Sequence, residues 1–452
     1  MRNLLHDVAE RSARYLESMD ERRVGPAPEA VAGLARLDEP LPDGPSDPGQ
    51  VLDLLDRVVT PATVAFAGPR FFGFVAGGSL PAALAANWLA GAWDQNSVYW
   101  SVTPAPSMLE YVALRWMVEL FGLPPSCAAA FVTGATVANF TALAAARHAV
   151  LARAGWNVEA DGLYGAPPIT VVVGAEVHPS VSKSLGMLGL GRNRVVTVPA
   201  DAQGRMRPDA LPRLAGPTLI CTQVGNVNTG ASDAVAEVCA RARPAGAWVH
   251  VDGAFGLWAK AAPARAPLVR GIEEADSWAT DAHKWLNVPF DSGLAFVRDG
   301  EALRAAMSVT AEYLPPSGER RNPGEYTPEL SRRARGAEVW AALKQLGRRG
   351  LAELVEGNCR LAKRFADRLS AAGYEILNDV VLNQVLVSFG PPATTNRVIA
   401  ELQRDGTCWC GGTVWQGKTA MRISVSSWAT TEHDVDRSVE VIVRLARAAG
   451  VS

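Results

Sequence analysis

The chain has 452 residues, 48% of them hydrophobic, enough to fill a large core and more than one domain. Its 44 basic and 46 acidic residues leave a formal net charge of −2, which gives no electrostatic case for nucleic acid or for an anionic membrane. Six scattered cysteines do not read as a disulfide framework in a chain this long, and Cys408-Trp409-Cys410 has no histidine or cysteine cluster nearby to complete a zinc site. The expectation is a reduced, cytoplasmic protein that uses no metal.

Met1 to Asp7 opens an amphipathic helix rather than an apolar leader. Residues 1–60 read as helix, an acidic proline-rich linker from Asp38 to Pro48, then helix again. A segment 1–75 of this kind has little apolar surface of its own and is expected to be a helical arm that packs on a partner subunit. Phe71 to Trp93 carries no charge, but Gly77-Gly78-Ser79-Leu80-Pro81 would break a membrane-spanning helix at its centre. A buried loop followed by a core helix is expected instead.

Beyond it, short apolar runs alternate with helical patterns. Strands are predicted at Ala129–Thr133, Ile169–Val173, Arg194–Val198, Thr218–Val224, Trp248–Val251, Ser277–Ala279 and Gly293–Val297, with helices such as Val137–Ala154 and Ala234–Arg243 between them. The alternation predicts an α/β domain over 76–335, with a mainly parallel sheet covered by helices. Ligands of such sheets bind at the carboxyl ends of the strands. Past Arg335 the pattern changes to helices at Ala337–Gly347 and Ala352–Ala371. Strand-like segments Val380–Ser388 and Ala420–Val425 follow, then a helix from Glu432. That predicts a smaller α+β domain over 336–452.

Several motifs fall just past predicted strand ends. Phe131-Val132-Thr133-Gly134-Ala135-Thr136-Val137-Ala138-Asn139 reads as strand, small-residue turn and helix, and a helix N-terminus suits a phosphate. Val177-His178-Pro179-Ser180 and Gln223-Val224-Gly225-Asn226 each follow a strand. His250-Val251-Asp252-Gly253-Ala254 places an aspartate at the end of an apolar run, and Asp281-Ala282-His283-Lys284-Trp285-Leu286 places a lysine at the end of another. That pair is what pyridoxal phosphate (PLP) chemistry needs. The lysine amine binds the cofactor aldehyde as a Schiff base, and the aspartate keeps the pyridine nitrogen protonated. His250, inside its strand, is expected to be structural.

Together these motifs resemble the PLP-dependent group II amino-acid decarboxylases, the aromatic-amino-acid, glutamate and histidine decarboxylase group, in the form of a bacterial member. The resemblance runs from about Arg70 to the C-terminus. It implies the PLP-dependent transferase fold of type I, with a seven-stranded sheet and a small C-terminal domain. It implies Lys284 as the Schiff-base lysine and Asp252 as the partner of the ring nitrogen. Ala135 and Thr136 are implied as phosphate contacts, Asp281 lies near the phosphate, and His283 holds the phosphate or orients the lysine. His178 is implied to stack on the ring, Ala254 to pack flat against it, and Asn226 to bond its phenolic oxygen.

The polar, Pro/Gly-broken run from Ala311 to Gly324 reads as a mobile loop. By the resemblance Tyr313 on it protonates the α-carbon. Phe72, Phe74, Asn96 and Val98 match substrate-pocket segments. The implied reaction is decarboxylation of an L-amino acid to its amine in a homodimer with its site at the interface. Other PLP reactions on the same scaffold stay open: aldehyde-forming oxidative decarboxylation, carbon–carbon lysis or transamination. A non-catalytic module with this fold is the third reading, and the joint presence of Lys284, Asp252, His178 and Tyr313 speaks against it.

Overall fold

Short runs of valine, alanine, isoleucine and phenylalanine build the larger sheet, because such side chains pack well on a pleated surface. The computed structural model describes residues 1–309, 312 and 320–450. Its strands β1 (Ala128–Val132), β2 (Thr170–Gly174), β3 (Val195–Val198), β4 (Thr218–Gln223), β5 (Trp248–Asp252), β6 (Ser277–Asp281) and β7 (Gly293–Val297) stand in the order β1-β7-β6-β5-β4-β2-β3. From β3 through β6 all pairings are parallel, and β7 is antiparallel to both β6 and β1. All seven predicted strands are present, and the expected fold is the one observed.

The four central strands β4, β5, β6 and β7 are buried at every position, as a sheet covered on both faces requires. Helix Ala135–Arg153 follows β1 and packs on β5, β6 and β7. Its buried face is largely alanine (Ala138, Ala142, Ala144, Ala145, Ala146), which lets the helix backbone approach the sheet closely. The unit built on this sheet comprises Ser79–Cys359 and Asn378–Leu382.

The second unit comprises Met1–Gly78, Arg360–Leu377 and Asn383–Ser452. Its antiparallel sheet has strands β8 (Glu375–Ile376), β9 (Gln384–Ser388), β10 (Gly411–Trp415) and β11 (Lys418–Ser424) in the order β10-β11-β9-β8. The segment before Gly78 is joined to these strands. The Phe72 N–H donates to the Trp409 carbonyl at 2.8 Å, and the Ser424 N–H donates to the Phe72 carbonyl at 2.9 Å. Arg70 makes a buried ion pair with Asp434 at 3.1 Å, at the N-terminal turn of helix Glu432–Ala448. Strands β8 and β10 were not expected. The two helices expected after Arg335 form one run, Gly336–Ala371, broken at Gly347, whose φ of 58° favours glycine.

Among the described residues, no helix is long and apolar enough to cross a membrane. No cluster of His, Cys, Asp and Glu among them could hold a metal ion.

Candidate active site

Turns at the carboxyl edge of the large sheet carry the candidate residues. The first joins β1 to helix Ala135–Arg153. The first N–H groups of a helix have no intrahelical acceptor, and that of Ala135 donates to Asp281 Oδ1 at 2.6 Å. Asp281 ends β6 and is 2% exposed. Its other oxygen, Oδ2, lies 3.0 Å from Lys284 Nζ. One buried carboxylate therefore joins the helix N-terminus, whose dipole favours negative charge, to the lysine ammonium. The start of β7 presses on the same turn: a Cβ built on Gly293 would lie 2.4 Å from Gly134 Cα, so no side chain fits there.

His283 stacks on Phe290 with ring centroids 4.4 Å apart, and its Nδ1 accepts the Ser292 N–H at 3.0 Å. With Nδ1 accepting, the neutral ring carries its proton on Nε2, 3.6 Å from Asp281 Oδ1. Burial lowers the pKa of His283, so the neutral ring prevails at neutral pH.

Asp252 ends β5, 5% exposed, in register with Gln223 of β4 and Ala279 of β6. Its Oδ2 accepts from Asn139 Nδ2 at 3.1 Å and from Ser180 Oγ at 3.3 Å, and its Oδ1 accepts from the Ala254 N–H at 3.2 Å. All three donors are neutral. The Ala254 carbonyl in turn accepts the Asp281 N–H at 2.9 Å, so one small residue links the two strand-end aspartates.

His178 opens helix Pro179–Met187. Its Nδ1 accepts the Ser180 N–H at 3.2 Å and meets Ser180 Oγ at 2.8 Å. Ser180 thus stands between His178 and Asp252. Asn226 follows β4, 1% exposed, and its Oδ1 accepts the N–H groups of Asn228 and Thr229 at 2.8 and 3.2 Å. Its Nδ2 has no partner among the described residues. A buried donor left unpaired costs about 1–3 kcal/mol, which a bound acceptor would recover.

These groups fit PLP. The helix N-terminus offers a phosphate site, Asp252 a partner for the ring nitrogen, Asn226 Nδ2 a donor for the phenolic oxygen and Lys284 an amine for the aldehyde. One tension is built in, since a phosphate at the Ala135 N–H meets the Asp281 carboxylate already bonded there.

Ala135, Asp281, His283 and Lys284 form one group, and His178, Asp252 and Ala254 a second, joined through Ala254. Thr136 is half-buried beside Ala135. Asn96 Oδ1 accepts the Arg332 N–H at 2.9 Å, and Val98 is buried against Gly324. Phe72 and Phe74 belong to the other unit. There Phe72 packs edge-on against Phe365, and Phe74 stacks on Trp409. Tyr313 lies outside the described residues. Sequence reasoning missed Asn139 and Ser180 as partners of Asp252, although both sit inside motifs it singled out. Asn139 shares the buried face of its helix with Thr141, and Ser180 shares its own with Ser184, so neither stood out in the sequence.

Residues 31–390 match the model of the pyridoxal-dependent decarboxylase conserved domain. The chain belongs to that family. It is 27% identical to an aromatic-L-amino-acid decarboxylase of Bacillus atrophaeus, over 92% of this chain and 89% of the relative. It is 28% identical to tryptophan decarboxylase 1 of Oryza sativa subsp. japonica, over 98% of this chain and 93% of the relative. The crystal structure of Oryza sativa TDC with PLP and tryptamine superposes with a TM-score of 0.92 at 24% identity, covering 100% of this chain and 98% of that one. The family's cofactor and reaction class go with membership: this decarboxylase uses PLP and releases carbon dioxide from an amino acid.

Proposed function

We propose that this family member converts an L-amino acid to its amine, with Lys284, Asp252, His178 and Tyr313 as the catalytic groups. The observation that carries the reading is the pair of strand-end aspartates, one holding Lys284 and the other, among the described residues, hydrogen-bonded to neutral donors. PLP, when bound, supplies an electron sink for the bond that breaks.

The chain's own residues do the rest. Ala135 and Thr136 hold the phosphate at the helix N-terminus, with neutral His283 beside it. Asp281 orients Lys284 Nζ, the amine that anchors the cofactor. Asp252 faces the ring nitrogen, Asn226 Nδ2 donates to the phenolic oxygen, and the small side chain of Ala254 leaves the ring face clear. His178, fixed at Nδ1 by Ser180, presents its other face for stacking. Tyr313 delivers the proton that completes the amine. Asn96 and Val98 border the substrate side chain, and Phe72 and Phe74 are pocket residues on sequence grounds. Aromatic substrates are the favoured class, by likeness to the two relatives above.

The reading extends to a cytoplasmic homodimer. Six cysteines without a disulfide suit a reducing compartment. Trp88, Leu89 and Trp93 are 45%, 54% and 43% exposed on helix Pro81–Trp93, an apolar face of the kind that a second copy covers. Light scattering should give twice the chain mass; a fully active monomer overturns the dimer.

The test of the reaction is carbon dioxide release from the common amino acids with PLP, followed by product analysis under air. Amine as sole product is expected from the wild type. Aldehyde with ammonia and peroxide would assign the oxidative reaction instead. Tyr313→Phe should release carbon dioxide but shift the product toward aldehyde, and amine alone at the normal rate would remove Tyr313 from the proposal.

A further inference from the structure

A chain of buried polar groups runs through the core behind Asp252. Trp248 Nε1–H donates to Ser277 Oγ at 2.8 Å. Ser277 Oγ lies 2.9 Å from His250 Nδ1, and His250 Nε2 lies 2.9 Å from Asn139 Oδ1. Asn139 Nδ2 reaches Asp252 Oδ2 at 3.1 Å. Trp248 is 3% exposed, while Ser277, His250 and Asn139 are fully buried. These residues come from β5, β6 and the helix after β1, so the chain crosses three elements to end on one carboxylate.

Its direction is set from the Asp252 end. A carboxylate can only accept, so Asn139 turns Nδ2 to Asp252 and presents Oδ1 to His250. An amide oxygen can only accept, so the neutral imidazole carries its hydrogen on Nε2, and its Nδ1 accepts from Ser277 Oγ, which itself accepts the Trp248 N–H. Burial pushes the pKa of His250 down to about 4, so the ring is neutral at physiological pH. The amide of Asn139 is thereby fixed. Its two Nδ2 hydrogens point to Asp252 Oδ2 and to Ser180 Oγ, the latter at 3.1 Å. Turning any link around would set a buried donor against a donor or leave an acceptor empty, at the cost of an unmade bond in a dry core.

We infer that Ser277, His250 and Asn139 are positioning residues: a one-way hydrogen-bond chain, started by Trp248, that fixes the Asp252 carboxylate for the ring nitrogen of PLP. The inference rests on the role proposed for Asp252. It gives His250 more than a space-filling part. The ring acts through Asn139, without touching cofactor or substrate.

Two measurements test it. Histidine labelled with nitrogen-15 should show His250 as a single neutral ring protonated on Nε2 at pH 7, with and without PLP. The other tautomer, or a mixture, overturns the chain. PLP binding is then titrated by its visible absorbance, with the ring nitrogen of nitrogen-15 PLP read by NMR. Glutamine can accept from Ser277 and donate to Asn139, so His250→Gln should bind PLP within about threefold of wild type. His250→Phe and Asn139→Leu should bind at least about tenfold more weakly, with the nitrogen signal moved toward the unprotonated position.

Wild-type binding by Asn139→Leu, or equal losses in His250→Gln and His250→Phe, overturns the inference. If the Phe and Leu variants do not fold, the tautomer decides alone. Asp252→Ala separates the two levels. If it binds PLP as wild type does, the role of Asp252 fails and the inference with it. If Asp252→Ala weakens binding and Asn139→Leu does not, only the chain fails.

Discussion

Asp252 and Asp281 end neighbouring strands and are both almost wholly buried, yet their partners differ in kind. Asp281 meets a lysine ammonium and the positive end of a helix dipole, so its charge is compensated within the chain. Asp252 receives an amide, a hydroxyl and a backbone N–H, all neutral. Buried charges are paired or bound to something. Neutral donors orient a carboxylate without cancelling it, which reserves Asp252 for a cationic group from outside. On the reading proposed above, the two carboxylates divide the work: one holds the reactive amine, and the other is kept for the protonated ring of PLP.

The contrast can be broken at either end. Lys284→Ala should have the largest effect, a fall in turnover of at least about 10⁴-fold, because the anchoring amine is gone. It also leaves Asp281 without its cation, so the melting temperature should drop; carbon dioxide release and a thermal melt read both. Asp252→Asn keeps the shape and one of the two acceptor oxygens but not the charge. Its kcat should fall by about 10²–10⁴-fold with weaker PLP binding, and a near-wild-type rate would end the assignment. Asp281→Asn acts the opposite way on the phosphate. Removing the negative charge beside the Ala135 N–H should tighten binding of inorganic phosphate to the PLP-free protein by about three- to tenfold. Calorimetry that found weaker or unchanged binding would place the phosphate elsewhere.

The smallest effect is on stability against pH. His250 has its pKa near 4 in the fold, below the ordinary 6.5. Between those values the unfolded chain takes up a proton that the folded chain refuses, so this contribution is lost as pH falls from about 6.5 toward 4, by up to about 3 kcal/mol. Asp233 opposes it over part of that range. Burial raises its pKa to about 6, so it stabilises the fold at low pH and loses that contribution as pH rises through 6. The wild type alone therefore mixes two trends. Denaturant melts of wild type and His250→Gln at pH 7 and pH 5 separate them, and the variant should lose less stability than wild type on acidification. Equal losses would mean that His250 is not held neutral.

The large sheet was legible because each strand is an apolar run bounded by turn residues, as in Trp248–Asp252 and Gly293–Val297. The placement of Asp252 and Lys284 at the ends of β5 and β6 was legible because their motifs are local. Strand β10 was not, since Gly411-Gly412-Thr413-Val414-Trp415 opens with two glycines that read as a turn and alternates only weakly in burial. The two residues of β8 carry no periodicity. The partners of Asp252 escaped for another reason. Asn139 and Asp252 are 113 residues apart and meet only because the helix after β1 lies across β5. Asn139 on that helix looks like any polar residue until the sheet puts a carboxylate beneath it.

Gly293 bears on how this site could be redesigned. Its backbone rests on Gly134 with less space than a methyl group needs. A randomised library at position 293 should return glycine alone among active clones, because even alanine would wedge β7 away from the turn that starts helix Ala135–Arg153. The same contact makes the turn a poor target for grafted loops. On the proposed reading, engineering of substrate range is better aimed at Val98, which lies outside that contact.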